Sequence, residues 1–121
     1  MKYEFTIWGK ISGGKDNIGI AGTGHRYPLP AFAEWRDRVI RELRELYPNS
    51  DKIEFPCRMA VKYWNKDLKR RDVPAMIDAI LHCLERGGFV KDDELVRTVH
   101  WSWMGHDREN GRAEIALETL A

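Results

Sequence analysis

Apolar and polar residues alternate at the start of the chain, where Tyr3, Phe5 and Ile7 are separated by Glu4 and Thr6. A period of two sends successive side chains to opposite faces, so this stretch predicts a half-buried strand. Residues 9–28 have no period and are rich in glycine. They read as a long loop with a short extended piece at Ile18–Ile20, and loops of that length in small domains are usually functional or mobile. From Pro30 to Tyr47 the spacing changes. Phe32, Trp35, Val39, Leu43 and Leu46 recur every three or four positions, while Glu34, Arg38, Arg41, Glu42 and Glu45 fill the other faces. That is an amphipathic helix, with Pro30 suited to its first turn and Pro48 stopping it.

Alternation returns over Ile53–Trp64, through Met59, Val61 and Tyr63, with Pro56 marking a strand start, an edge or a bulge. A polar connection, NKDLKRRD, follows. Pro74–Arg86 predicts a second helix lined by Ile77, Ile80, Leu81 and Leu84, ended by Gly87–Gly88. Val99, Trp101 and Trp103 predict a strand, as do Ala113, Ile115 and Leu117. Asn110–Gly111 between them signals a hairpin turn. The order is β-loop-α-β-α-β-β. It predicts one α+β domain over residues 1–121: a small mixed or antiparallel sheet with two helices packed on one face.

Composition narrows the classes. The chain has 121 residues, 43% hydrophobic and 32% charged, which fits a folded domain with one core. No apolar run is long enough to span a bilayer and no secretory leader is evident, so no membrane association and a cytoplasmic location are expected. The net charge of +1 announces no globally basic surface, but leaves room for a local basic patch. Cys57 and Cys83 fit reduced core thiols better than a disulfide framework.

Two motifs bear on chemistry. GKISGGKD at 9–16 has the outline of a phosphate-binding loop, but Asp16 stands where a magnesium-binding hydroxyl is needed, and no helix-forming run follows. That reading is rejected. The acids of the second half are more informative. Asp72 precedes the second helix, Asp78 and His82 share one of its flanks at i,i+4, and Asp92–Asp93 follow the glycine turn. Carboxylates suit Mg²⁺, which supports phosphodiester hydrolysis. Capping chemistry is the plainer account of acids at helix starts. Lys62, Lys66, Lys69, Arg70 and Arg71 lead into Asp72 and suit a phosphate backbone or a solvated loop. Tyr63 and Trp64 beside them suit base stacking or the core.

In AEWRDRVIREL, KRRD and MIDAILHCLERGGFVKDDELV, the chain resembles the RusA-type Holliday junction resolvase family. The resemblance implies a homodimeric, magnesium-dependent endonuclease of DNA recombination and repair that nicks four-way junctions, with Mn²⁺ able to substitute. It implies that Asp72 and Asp93 are catalytic carboxylates, with Asp92 beside the latter and Arg71 adjoining the site. The chain departs from the family pattern at three positions: Pro74 replaces the second aspartate, Ala75 an asparagine and Asp78 a lysine. Two outcomes stay open. Either Asp78 supplies the missing carboxylate, so that Asp72, Asp78, Asp92 and Asp93 hold metal, or the chain binds DNA without cutting it. An interaction domain using Trp101 and Trp103 is a third reading.

Overall fold

The computed structural model describes residues 1–11, 18–20, 22–24, 26–69 and 72–120. The opening alternation becomes β1 (Lys2–Trp8), followed by β2 (Ile18–Ile20), β3 (Arg26–Pro28), α1 (Pro30–Leu46), β4 (Cys57–Asn65) and α2 (Val73–Arg86). A 3₁₀ turn at Asp93–Leu95 leads into β5 (Val96–His106), and β6 (Arg112–Thr119) closes the fold. The extended piece expected at Ile18–Ile20 is β2. It pairs antiparallel with β3, which the sequence did not announce.

The main sheet is mixed, in the order β1-β6-β4-β5. β6 runs antiparallel to both neighbours and β4 runs parallel to β5, with α2 as the crossover between them. The α+β class and the two helices over one face are as the sequence predicts. The hairpin expected at Asn110–Gly111 is not: β5 and β6 do not pair, and the turn instead carries the chain past the end of β4. Asp107 organises that passage, its N–H donating to the Asn65 carbonyl at 2.8 Å and its carboxylate accepting from Asn110 N–H at 2.9 Å. Gly111 is required there because a Cβ would lie 2.5 Å from that of Lys66. Burial explains the strand order. Ala113, Ile115 and Leu117 of β6 are almost wholly buried and suit a central strand, whereas β5 is largely exposed and suits an edge.

One face of the sheet supplies Tyr3, Phe5, Ile7, Met59, Val61, Tyr63, Ala113, Ile115 and Leu117 to a single apolar cluster. The helices close it with Phe32, Trp35, Val39, Ile40 and Leu43 from α1, and Met76, Ala79, Ile80, Cys83 and Leu84 from α2. Leu46, expected in the α1 stripe, is exposed. It is the last helical residue, and the chain is anchored one position later. Tyr47 stacks edge-on against Tyr3 at 4.9 Å, and its hydroxyl bonds both backbone groups of Glu4. Both cysteines are free and buried, and burial pushes the Cys83 thiol up to about 12. No helix among the described residues is long and apolar enough to cross a membrane.

Candidate metal centre

Helix α2 separates two groups of acids. At its start, Asp72 is the N-cap: its backbone is extended and its carboxylate accepts from Ala75 N–H at 3.3 Å. Pro74 sits in the first turn, where its missing N–H costs nothing. Beside this end lies a cleft of about 380 Å³ lined by Tyr63, Asn65, Leu68, Val73, Met76 and Trp103. Asn65 is buried and satisfied. It accepts from the Tyr63 hydroxyl at 3.2 Å and donates to the Lys69 carbonyl at 3.0 Å.

At the other end, Gly88 adopts φ +81° and reverses the chain. Phe89 and Val90 bury themselves, and both of their N–H groups bond the Leu84 carbonyl. Val90 also bridges Ile53, flanked by Ile53 N–H to Phe89 O and Lys91 N–H to Ile53 O, both 2.9 Å. This clamp delivers the next residues against the last turn of α2. Asp92 caps the 3₁₀ turn by accepting from Glu94 N–H at 2.9 Å. One oxygen each of Glu85, Asp92 and Asp93 then lies within 4.8 Å of the others, all on exposed side chains. Carboxylate oxygens alone, open to water, are the donor set that hard divalent cations such as Mg²⁺ and Mn²⁺ take. The residues therefore fit the ion that the sequence suggests.

His82 stands one turn before Glu85. Its ring packs on Phe32 at 5.7 Å, and its buried Nε2 has no hydrogen-bond partner among the described residues. Burial lowers its pKa, and Arg36 and Arg86 reinforce the shift against the opposing pull of Glu85 and Asp93. It is a neutral histidine wedged behind the acidic cluster.

The structure thus brings Asp92 and Asp93 together, as expected, and adds Glu85. Asp72 and Asp78 stand outside the group. Thirteen residues separate Asp72 from Glu85, which is about 20 Å along the helix axis, and Asp78 lies between them, about 10 Å from Glu85. Its neighbour Glu85 is in the last turn of α2, so Asp93 lies at the helix exit. Glu85 was legible in principle, being the acid of the turn on which the glycine pair folds the chain back. Among the basic residues, Lys62 lies exposed on β4, and Lys66 and Lys69 are exposed just beyond it. Arg70 and Arg71 lie outside the described residues, as does most of the rejected 9–16 motif.

This is a mixed-sheet α+β fold with an exposed carboxylate cluster at the end of α2. No family model matches the chain. Among curated proteins it is similar to the crossover junction endodeoxyribonuclease RusA of Aquifex aeolicus (strain VF5), with 27% identity over 77 residues. The match covers 64% of this chain and 60% of the length of that relative.

Proposed function

We propose that this single-domain protein is a structure-specific endodeoxyribonuclease that hydrolyses branched DNA, such as four-way junctions, in the cytoplasm. The observation that carries the reading is the Glu85–Asp92–Asp93 cluster, since it falls within MIDAILHCLERGGFVKDDELV, the stretch most like a junction resolvase. Glu85, Asp92 and Asp93 would hold Mg²⁺ or Mn²⁺. When bound, such an ion polarises a phosphate and acidifies an attacking water. The chain's own residues supply the rest: Lys62, Lys66, Lys69, Arg70 and Arg71 neutralise the DNA backbone, and the buried wall of Phe89 and Val90 fixes the cluster.

The resemblance makes Asp72 catalytic as well, yet a helix holds it about 20 Å from Asp93's neighbour Glu85. Two copies resolve the conflict. β5 is an edge strand, with one side unpaired among the described residues and with Trp103 and Met104 exposed. A two-fold axis through that edge runs the two strands in opposite directions, so the Asp72 end of one copy meets the Asp93 end of its partner. The homodimer then holds two sites, each with Asp72 from one copy and Glu85, Asp92 and Asp93 from the other. Asp78, about 10 Å along the helix from Glu85, belongs to neither group in one copy. Incubating the purified protein with four-way junctions and Mg²⁺ or Mn²⁺ tests the activity: symmetric nicking is expected, and no nicking with either metal sinks it.

A second reading draws on Pro74 and Ala75, which put no ligand where the family carries an aspartate and an asparagine. It is a DNA-binding relative without turnover, showing salt-sensitive junction binding and no product. Pro74→Asp, Ala75→Asn and Asp78→Lys together then create activity. A folded, DNA-bound triple variant that stays inert rejects it.

A further inference from the structure

The helices cover one face of the sheet and leave the other open, and the strand register arranges that open face in rows. At one end, Lys2, Glu118 and Arg58 are cross-strand neighbours. Their charges are closed off, Lys2 against Glu4 at 3.0 Å and Arg58 against Glu118. At the opposite end, the row reads Trp8, Arg112 and Trp64. The guanidinium carbon of Arg112 lies 3.9 Å from the centre of the Trp64 ring and 5.8 Å from that of Trp8. Arg112 is fixed from its edges too: Nε donates to Glu114 at 2.9 Å, and Nη1 donates to the Asn110 carbonyl at 2.9 Å and to Asp107 at 3.5 Å. Trp8 thus lies beside a clamped cation while the residue stays 54% exposed. Lys62 lies one row along on β4 and Lys66 just past its end. Neither has an ion-pair partner among the described residues.

We infer that this end of the open face binds single-stranded DNA, an unpaired base stacking on the Trp8 indole and its flanking phosphates meeting Lys62 and Lys66. A rigid exposed π-face beside unpaired cations is the combination that holds single strands without reading their sequence. Bases accept stacking from any exposed indole, and the cations complement the backbone. The closed ion pairs at the other end of the face offer neither. The choice of DNA as the polyanion rests on the branched-DNA reading, because branched DNAs such as flaps and forks carry single-stranded arms. The surface itself uses no metal and none of the carboxylates of the cluster.

The test is fluorescence anisotropy with labelled oligothymidine at low salt in EDTA, with tryptophan quenching as a second signal. Trp8→Ala should weaken binding about 5- to 150-fold, the range for loss of one stacked base. Trp8→Phe keeps a π-face and should retain most of the affinity. Lys62→Ala should flatten the slope of log affinity against log salt by about 0.7, the value for one single-strand phosphate contact. Lys2→Ala, at the closed end of the same face, should bind as wild type does. Thermal melting checks each fold, and Lys62→Ala carries the test should Trp8→Ala melt early. Absence of oligothymidine binding by the wild type, or a folded Trp8→Ala protein that binds unchanged, overturns the inference. A protein that binds the oligomer but nicks no junction overturns the nuclease reading alone, and one that nicks junctions without binding the oligomer overturns this inference alone.

Discussion

The two ends of α2 carry the same residue type for different local reasons. At the entrance, the Asp72 carboxylate accepts from Ala75 N–H, so its position is explained by helix capping whether or not it meets metal. At the exit, Asp92 caps a 3₁₀ turn and Asp93 stands in its first turn, while Glu85, with no side-chain hydrogen bond among the described residues, converges with them from α2. Three carboxylates on one exposed patch suit a hard cation better than a lone capping aspartate does. A single acidic motif in the sequence is thus two separate groups in space, a capping aspartate at the entrance and a carboxylate cluster at the exit.

The largest effect expected is at the exit. Asp93→Asn should cut junction nicking about 100-fold or more, beyond the loss typical of a residue that only orients a ligand. Its melting temperature should match wild type, since the side chain is exposed. Glu85→Gln comes next, with metal affinity about 10- to 100-fold weaker by calorimetry. A Glu85 variant with unchanged metal affinity would reduce the cluster to a surface coincidence.

At the entrance the comparison sharpens differently. Asp72→Ala should lose about 1 kcal/mol of stability with its cap, whereas Asp72→Asn, which still caps, should lose only a few tenths. Both should lose nicking equally, because asparagine caps a helix but brings no negative charge to a cation. If Asp72→Asn keeps full activity, its role is capping alone.

The smallest effect concerns His82, wedged behind the cluster. Burial holds its folded-state pKa below the ordinary 6.5. The unfolded chain then takes up the proton first as pH falls, so stabilisation present above pH 6.5 is lost progressively below it. Metal-free melting temperatures should drop more steeply from pH 6.5 to 5 in wild type than in His82→Phe. Parallel curves would mean that the ring takes up its proton as readily in the fold as in the unfolded chain.

Much of this was legible in the sequence because it depends on local periodicity. β1, α1, β4 and α2 follow from spacings of two or three to four, and their ends from Pro30, Pro74 and Gly87–Gly88. Strand order was not legible. The Asn110–Gly111 turn has hairpin chemistry, yet β6 goes to the centre of the sheet because Ala113, Ile115 and Leu117 bury more fully than the inward residues of β5. Arg112 between two tryptophans is likewise a product of register, which no window along the chain contains. For the site, Asp92 and Asp93 could be read as a pair because they are adjacent. Glu85 joins them only through the fold-back at Gly88, and the length of α2 decides that Asp72 does not join them in the same copy.

The most direct test of this division mixes two inactive variants. If each site takes Asp72 from one copy and Asp93 from the other, Asp72→Asn and Asp93→Asn proteins should each fail to nick a four-way junction with Mg²⁺. Combined and allowed to exchange subunits, they should recover nicking, because one site in every heterodimer has both carboxylates intact. A mixture that stays silent while the wild type cuts contradicts assembly of the site from the two ends of α2.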